Sequence, residues 1–278
     1  MLNYLRSYCL QASTMARIFV FFVMIFTSYK VDARHIVRLD KSSTVAIEER
    51  EAIVILTGFG SLYHSAKNQV KNFKDQGFDL FIPDYIDRQS LVDCSSNLEK
   101  FIEKNKLKSY KKVHVFAYII GGWTLNTYLT NHEWKNLASV VYDRSSLQET
   151  LPGILSRDNP FFSRVLFGPL IKNLAETPYF SAEIPTAKIG LLIECKATKV
   201  LWKKKISFDK LPPISFDAAS FNQPNVDFFY TYQSHDDLYT ALEYPAPAII
   251  EFFRTGKFSA NMPRKAIDRD PFETYQKK

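Results

Sequence analysis

The stretch HVFAYIIGGW (residues 114–123) contains the turn that decides the fold. The apolar, β-prone residues at its start predict a buried strand. Gly121 and Gly122 follow directly and predict a sharp turn into a helix, because glycine lets two backbones approach closely. Such a turn can hold a nucleophilic side chain at its apex. The apex residue here is Ile119, whose side chain has no oxygen or sulfur.

Around this stretch the chain alternates between strand-like and helix-like segments. Apolar runs at 52–59, 78–85, 112–119 and 137–145 predict strands, and the amphipathic segments 65–77, 90–105 and 121–132 predict the helices between them. Repeated strand–helix units are typical of a parallel sheet covered on both faces. We therefore predict the α/β class, with these four strands as neighbours in one sheet.

The second half of the chain is less regular. Residues 146–183 contain prolines and apolar clusters without a clear strand and predict an inserted lid of short helices. Residues 186–202 fit either a strand at 189–193 or one apolar helical face, and both alternatives remain open. Residues 225–233 predict a strand and 245–258 a closing helix. These elements complete a domain over 34–258, and we expect the polar tail 259–278 to be loosely held.

The N-terminal residues differ in kind from the rest. A positive flank at Arg17, an apolar run from Ile18 to Phe26 and small residues at Val31 and Ala33 match a secretory signal peptide, with Met15 as a second start. The uninterrupted run is shorter than a bilayer requires. Residues 1–33 are thus interpreted as a signal peptide or as a retained anchor at 18–29. Both alternatives predict export to a periplasmic, lumenal or extracellular space. The anchor alternative also predicts attachment to the membrane.

Composition excludes several kinds of site. The 278 residues carry a formal net charge of +7, but the lysines are spread along the chain apart from Lys203, Lys204 and Lys205. This distribution predicts solvated surface and no nucleic-acid partner. No spacing of Cys and His ligands indicates a metal, and no cofactor is predicted. Cys94 and Cys195 could pair in an oxidising compartment.

Three stretches together resemble the α/β-hydrolase family, in its esterase- and lipase-like branch. LTGFG (56–60) resembles the loop that contributes a backbone N–H to the oxyanion hole, and HVFAYIIGGW resembles the nucleophile elbow. YQSHDDLYTALEYPAPAIIEFF (232–253) resembles the last strand, the loop of the catalytic histidine and the C-terminal helix. The resemblance covers roughly residues 50–258. It implies a mainly parallel sheet flanked by helices, with a small helical lid.

The resemblance also implies a set of site residues. The oxyanion loop and pocket would comprise Gly58, Phe59, Gly60, Ile119, Ile120 and Gly121, with Ile119 in the place of the nucleophilic serine. If 189–193 is the penultimate strand, His235 is the base, and the place of the acid falls near Ala197 or Thr198, where none stands. If 225–233 is the penultimate strand, Asp236 or Asp237 is the acid and no histidine follows. The first register is favoured, because a single helix closes the chain.

Two functions follow from these residues. The favoured one is a degenerate hydrolase without nucleophilic catalysis. It would bind an apolar small molecule, such as an acyl chain, or a protein partner. Ile119 and Ile120 would form the pocket floor, and its roof would be Phe161, Phe162, Leu166 and Phe167. The alternative is an active esterase or lipase with an unrecognised nucleophile such as Ser61. Since the favoured register lacks an acid, we expect Ile119→Ser to restore little activity.

Overall fold

The computed structural model describes residues 36–39, 44–59, 63–180, 182, 184–223 and 226–273, with the side chains of 63–65 left aside. The segment predicted as a signal peptide or anchor lies outside the described residues, and so do Gly60 and Ser61. Among the described residues, no helix combines the length and the apolar character that crossing a bilayer requires. The predictions about these N-terminal residues stay predictions.

Seven strands in the described part of the chain form one sheet. Their order is β1-β3-β2-β4-β5-β6-β7, and all pairings are parallel except that of β1 with β3. The four strands predicted first lie side by side at its centre, which confirms the predicted fold class. The strands are β1 (Ile36–Arg38), β2 (Glu51–Leu56), β3 (Asp79–Ile82), β4 (Lys112–Ala117), β5 (Leu137–Arg144), β6 (Lys188–Lys196) and β7 (Val226–Ser234).

Helices connect the strands and cover both faces of the sheet. Those between the first five strands coincide with the predicted amphipathic segments, and three short helices occupy the predicted lid. The helices are α1 (Tyr63–Phe73), α2 (Leu91–Lys104), α3 (Ile119–Asn131), α4 (Ser146–Asp158), α5 (Pro160–Phe167), α6 (Leu170–Glu176), α7 (Lys199–Trp202), α8 (Lys205–Phe208), α9 (His235–Thr240) and α10 (Pro245–Thr255). Short 3₁₀ turns lie at Ile47–Glu49, Leu107–Ser109 and Ala218–Phe221.

The residues of β2 show why both faces need a cover. Ala52, Val54 and Leu56 belong to a core cluster shared with α2 and α3, whereas Ile53 and Ile55 belong to a second cluster with α1 and α10. Successive side chains of a strand point to opposite faces, so a strand that is apolar throughout must be buried on both sides. Because β2 is buried on both faces, it lies at the centre of the sheet. The carboxyl ends of β2 and of its parallel neighbours therefore meet at one edge of the sheet.

The ambiguous segment 186–202 contains both a strand and a helix. β6 covers 188–196 and pairs with β5 and β7, and α7 follows at 199–202. β7 is therefore the last strand, with one long helix, α10, after it, so the favoured register is confirmed. The strand is longer than the five residues predicted, and this extra length changes where its acidic residue lies.

The C-terminal tail is more ordered than the sequence predicts. The backbone N–H of Tyr230 in β7 donates to Pro263 O at 2.9 Å, and that of Ala197 donates to Pro271 O at 3.0 Å. Arg264 pairs with Asp227. Residues 259–273 thus cover the free edge of β7, which would otherwise expose unpaired backbone groups. The prediction of a loosely held tail is wrong for these residues.

Cys94 and Cys195 do not form a disulfide: both thiols are free and buried. Burial raises the pKa of the Cys94 thiol to about 11. This thiol also donates to the carbonyl of Asp87 and accepts from its backbone N–H. Its role in the described structure is therefore to hold the loop after β3 against α2.

Candidate functional site

The turn between β4 and α3 keeps the close packing that the sequence predicts. Tyr118 donates its backbone N–H to Leu56 O at 3.0 Å, which ties the turn to β2. A Cβ atom on Gly121 would lie 2.4 Å from the same carbonyl oxygen, so a larger residue cannot occupy this place without displacing backbone. The second glycine faces a different neighbour, because a Cβ on Gly122 would overlap the Tyr179 hydroxyl.

The residue at the apex of this turn is Ile119, in helical backbone without strain. Ile119 is the first residue of α3, and it is not among the three non-glycine residues with positive φ in the described chain, Asp75, Lys106 and Asn222. A nucleophile elbow holds its apex residue in a strained turn, and positive φ is especially costly for a β-branched side chain. Ile119 and Ile120 are each only 5% exposed and pack into the core.

On the other side of the site, His235 is held by two carboxylates. It begins α9 directly after β7, and its Nδ1 atom lies 2.9 Å from Glu194 Oε1 and 3.1 Å from Asp143 Oδ2. Both carboxylates are fully buried, on the adjacent strands β6 and β5. The three groups could in principle hold a metal, since their donor atoms lie within 4.8 Å of one another. In the described structure Nδ1 hydrogen-bonds to Glu194, whereas Asp143 contacts it as an ion pair and neither of its buried carboxylate oxygens has a hydrogen-bond partner there.

The environment of the cluster keeps protons bound. Burial lowers the pKa of His235, but the Glu194 and Asp143 carboxylates outweigh this effect and raise it to about 10. Burial and the neighbouring Asp143 raise the pKa of Glu194 well above its usual range. The cluster therefore brings an acid and a histidine together as in a triad, and its carboxylates favour the protonated imidazole.

Asp236 and Asp237, the other acids considered from the sequence, do not hold His235. Asp237 completes a capping box at the start of α9, where it accepts from Ser234 N at 2.9 Å and pairs with Lys196 Nζ at 3.2 Å. Burial raises the pKa of Asp236. Their alternative role as the acid belonged to the other strand register, in which they would follow the penultimate strand.

The sequence did not predict Glu194 and Asp143 as site residues, because the predicted place of the acid lies beyond the end of a strand. The prediction placed that end at 193, whereas β6 continues to Lys196 and includes Glu194. A signal was present, since each carboxylate interrupts an apolar run, LLIEC and VVYDR, near the carboxyl end of a parallel strand. A buried carboxylate requires a partner, so each interruption indicated a paired site.

Tyr239 occupies the space between the two sides. Its hydroxyl accepts the backbone N–H of Gly58 at 2.7 Å, in the loop predicted to bind an oxyanion. Its ring stacks on Tyr118, with centroids 4.4 Å apart, and stands edge-on to His235. A Cβ on Gly58 would lie 2.6 Å from this hydroxyl and 3.7 Å from His235 Nε2. One N–H of the predicted oxyanion loop is thus bound by the chain's own tyrosine.

The predicted roof is only partly present. Phe161 and Phe162 are 74% and 52% exposed, so the prediction is wrong for these two residues. Phe167, at the end of α5, packs edge-on against Phe59 with ring centroids 5.2 Å apart. α5 therefore covers the oxyanion loop with its C-terminal end and leaves the rest of its length at the surface.

A cavity of about 380 Å³ lies beneath α4 and α6. At its wall, the Arg144 guanidinium lies between the rings of Tyr179 and Phe221, with Cζ 3.8 and 4.5 Å from their centroids. Glu149 accepts from Nε and Nη2 of this arginine, whereas Nη1 has no hydrogen-bond partner among the described residues. Trp123 and Gly153 also line the cavity, which therefore combines aromatic walls with one paired charge.

Comparisons with known proteins show which solved structures have a fold similar to that of this chain. No family model and no curated protein matches the chain. Among solved structures, it is similar to the mature lipase BlEst2 of Bacillus licheniformis, with a TM-score of 0.55 at 12% identity over 80% of this chain and 98% of that one. It is also similar to Est1E from Butyrivibrio proteoclasticus, with a TM-score of 0.52 at 12% identity over 80% and 93%. At such identities the similarity extends to the fold alone.

Proposed function

We propose, from the α/β-hydrolase fold that this chain has, that the protein does not hydrolyse esters and acts by binding. The observation that carries this proposal is Ile119 at the apex of the turn, in unstrained helical backbone. Covalent hydrolysis needs an oxygen or sulfur within reach of an unprotonated base, and this apex offers neither atom. The Tyr239 hydroxyl, which already binds the Gly58 N–H of the predicted oxyanion loop, supports the same conclusion.

An active hydrolase with an unrecognised nucleophile is the second candidate. The observation that favours it is the contact of His235 with Glu194 and Asp143, because a histidine oriented by an acid is what a nucleophile requires. Tyr239 does not supply the nucleophile in this proposal. Burial raises the pKa of its hydroxyl well above the usual value, so the phenol stays protonated.

Ester turnover and labelling by a fluorophosphonate probe test the proposal. We expect the purified wild type and Ile119→Ala to show neither, whereas Ile119→Ser reacts with the probe. This expectation replaces the sequence-based one that the serine restores little, because an acid partner for His235 is present. A further His235→Ala change should abolish the labelling. Labelling of the wild type that disappears when one native serine is changed to alanine would establish the second candidate.

We further propose that a small ligand binds in the cavity beside Arg144. Its aromatic walls suit an apolar body, and the hydroxyl groups of Ser146 and Thr150 in its lining suit a polar group, so a molecule with both parts fits better than a plain acyl chain. A Cβ on Gly153 would meet no atom within 4 Å, so Gly153→Leu should fill the cavity without a clash. Benzoate binding, followed by ligand-observed NMR, should be lost in Gly153→Leu and kept in Arg157→Leu one turn away. Equal binding by both variants would exclude this cavity.

Export is proposed from the sequence alone. The apolar run and the Val31–Ala33 site predict cleavage after the signal segment, and the alternative is an anchor at 18–29. N-terminal sequencing of protein from its native host distinguishes them. Cleavage near Ala33 supports a signal peptide, an intact segment in the membrane fraction supports the anchor, and an intact soluble cytosolic chain contradicts export.

A further inference from the structure

Helix α5 has an unusual surface for its composition. Its sequence, PFFSRVLF, is apolar nearly all round, a pattern typical of a buried helix. Yet Ser163 is the one residue of this helix that is fully buried, with its hydroxyl on Leu155 O at 2.8 Å. Phe161, Phe162 and Val165 are exposed. The helix thus turns Ser163 inward and three of its large apolar side chains outward.

A second exposed apolar segment lies next to α5. Val200, Trp202 and Ile206, on α7 and α8, are 52%, 42% and 75% exposed. The Ser207 hydroxyl in α8 donates to Asp158 at 2.6 Å, two residues before α5 begins, so the two segments are neighbours. Six of the twelve large exposed hydrophobic residues in the described chain lie here. They form what we call the lid surface: Phe161, Phe162, Val165, Val200, Trp202 and Ile206.

The lid surface is accompanied by positive charge. Residues 199–210 contain five lysines and one aspartate, and Lys199, Lys203 and Lys210 are exposed. Arg164 adds an exposed cation on α5 itself. Exposed aromatic and aliphatic side chains next to lysines are typical of surfaces that lie in a bilayer interface and attract anionic head groups.

We propose that the lid surface docks on a membrane that contains anionic lipid. Phe161 and Phe162 are consecutive on a helix and therefore point in different directions. A fluid interface accommodates both, whereas a rigid protein partner would need a pocket for each. Trp202 has the amphipathic ring that favours the head-group level, and the lysines supply charge complementarity without a fixed geometry. The inference does not rest on the loss of catalysis.

Vesicle co-sedimentation of the full chain tests this proposal. We expect binding to vesicles of phosphatidylcholine with about a third phosphatidylserine, weaker binding to phosphatidylcholine alone, and a further loss at high salt. Trp202→Ser combined with Ile206→Ser should weaken binding by about tenfold or more, because two apolar anchors are removed. Val92→Ser is the matched control: Val92 is 66% exposed on α2, outside the lid surface, and its loss should change nothing.

The outcomes separate this surface from other sources of binding. If the double variant binds like Val92→Ser, the membrane contact lies elsewhere, for instance in the apolar run 18–26, and the proposal is overturned. Equal binding to both lipid mixtures overturns the role of the lysines, and no binding to either favours a protein partner. Because these residues are exposed, unchanged circular dichroism should accompany the loss. Ester hydrolysis by the wild type would contradict the proposed function without affecting these results.

Discussion

The two sides of the site resemble a hydrolase site to different extents. At the end of β4 the apex residue is Ile119 in backbone without positive φ, and the resemblance lies in the close contact of Gly121 with Leu56. At the ends of β5, β6 and β7 the acid–histidine contacts are present, with two carboxylates on one imidazole. Buried charges depend on one another, so losing one leaves the others unpaired, whereas an exposed nucleophile can be replaced without that penalty. The stability of the folded chain therefore constrains the buried cluster, whereas no such charge pairing constrains the residue at the apex of the turn.

The largest expected effect tests whether the cluster is structural. His235→Ala leaves the buried Asp143 and Glu194 without their shared cation, and removing one member of a buried ion pair costs about 3–5 kcal/mol of the free energy of unfolding. Urea unfolding measures this loss. Glu176→Ala, at an exposed pair with Lys172, is the control and should change stability by less than about 0.5 kcal/mol. Similar small losses for both variants would make the cluster dispensable.

The pH dependence of stability sharpens the same point. The pKa of His235 is raised to about 10 in the folded chain, against about 6.5 when unfolded. The folded state therefore binds more protons between these values. The stabilisation is fully present below pH 6.5 and is lost as the pH rises towards 10, at about 1.4 kcal/mol per pH unit for one proton. Unfolding of the wild type at pH 6, 7, 8 and 9 should show this slope, and His235→Gln should show a flatter one. Parallel slopes would contradict a protonated His235.

The sequence predicted the centre of the sheet because each of its four strands is a short apolar run and an amphipathic helical segment lies between each pair. It predicted Ile119 at the apex of the turn because that turn, too, lies within one short stretch of sequence. Glu194, Asp143 and Tyr239 come from three separate segments, and only the register of β5, β6 and β7 brings them together. The tail was misjudged because polar composition does not reveal that Pro263 and Pro271 accept backbone hydrogen bonds.

A smaller effect concerns the packing that the elbow has kept. Gly121→Ala places a methyl group against the Leu56 carbonyl, and overpacking of this kind costs about 1–3 kcal/mol. Gly153→Ala is the matched control in α4, where a Cβ meets nothing within 4 Å, and the higher helix propensity of alanine should add about 0.5–1 kcal/mol. The melting temperature should therefore fall for Gly121→Ala and rise for Gly153→Ala in a thermal unfolding experiment. A neutral Gly121→Ala would mean that the turn no longer constrains the fold.

The smallest expected change in stability is at Tyr239, which joins the two sides. Tyr239→Phe removes the acceptor of Gly58 N–H, and an unmade hydrogen bond of this kind costs about 1 kcal/mol. The same change should help catalysis where a nucleophile exists, because a freed oxyanion-loop N–H can stabilise a developing charge. We therefore expect Ile119→Ser with Tyr239→Phe to be less stable than Ile119→Ser alone and to turn over p-nitrophenyl acetate faster. A double variant that loses both stability and turnover would show that Tyr239 positions His235, through its edge-on ring contact, and does not merely block the loop.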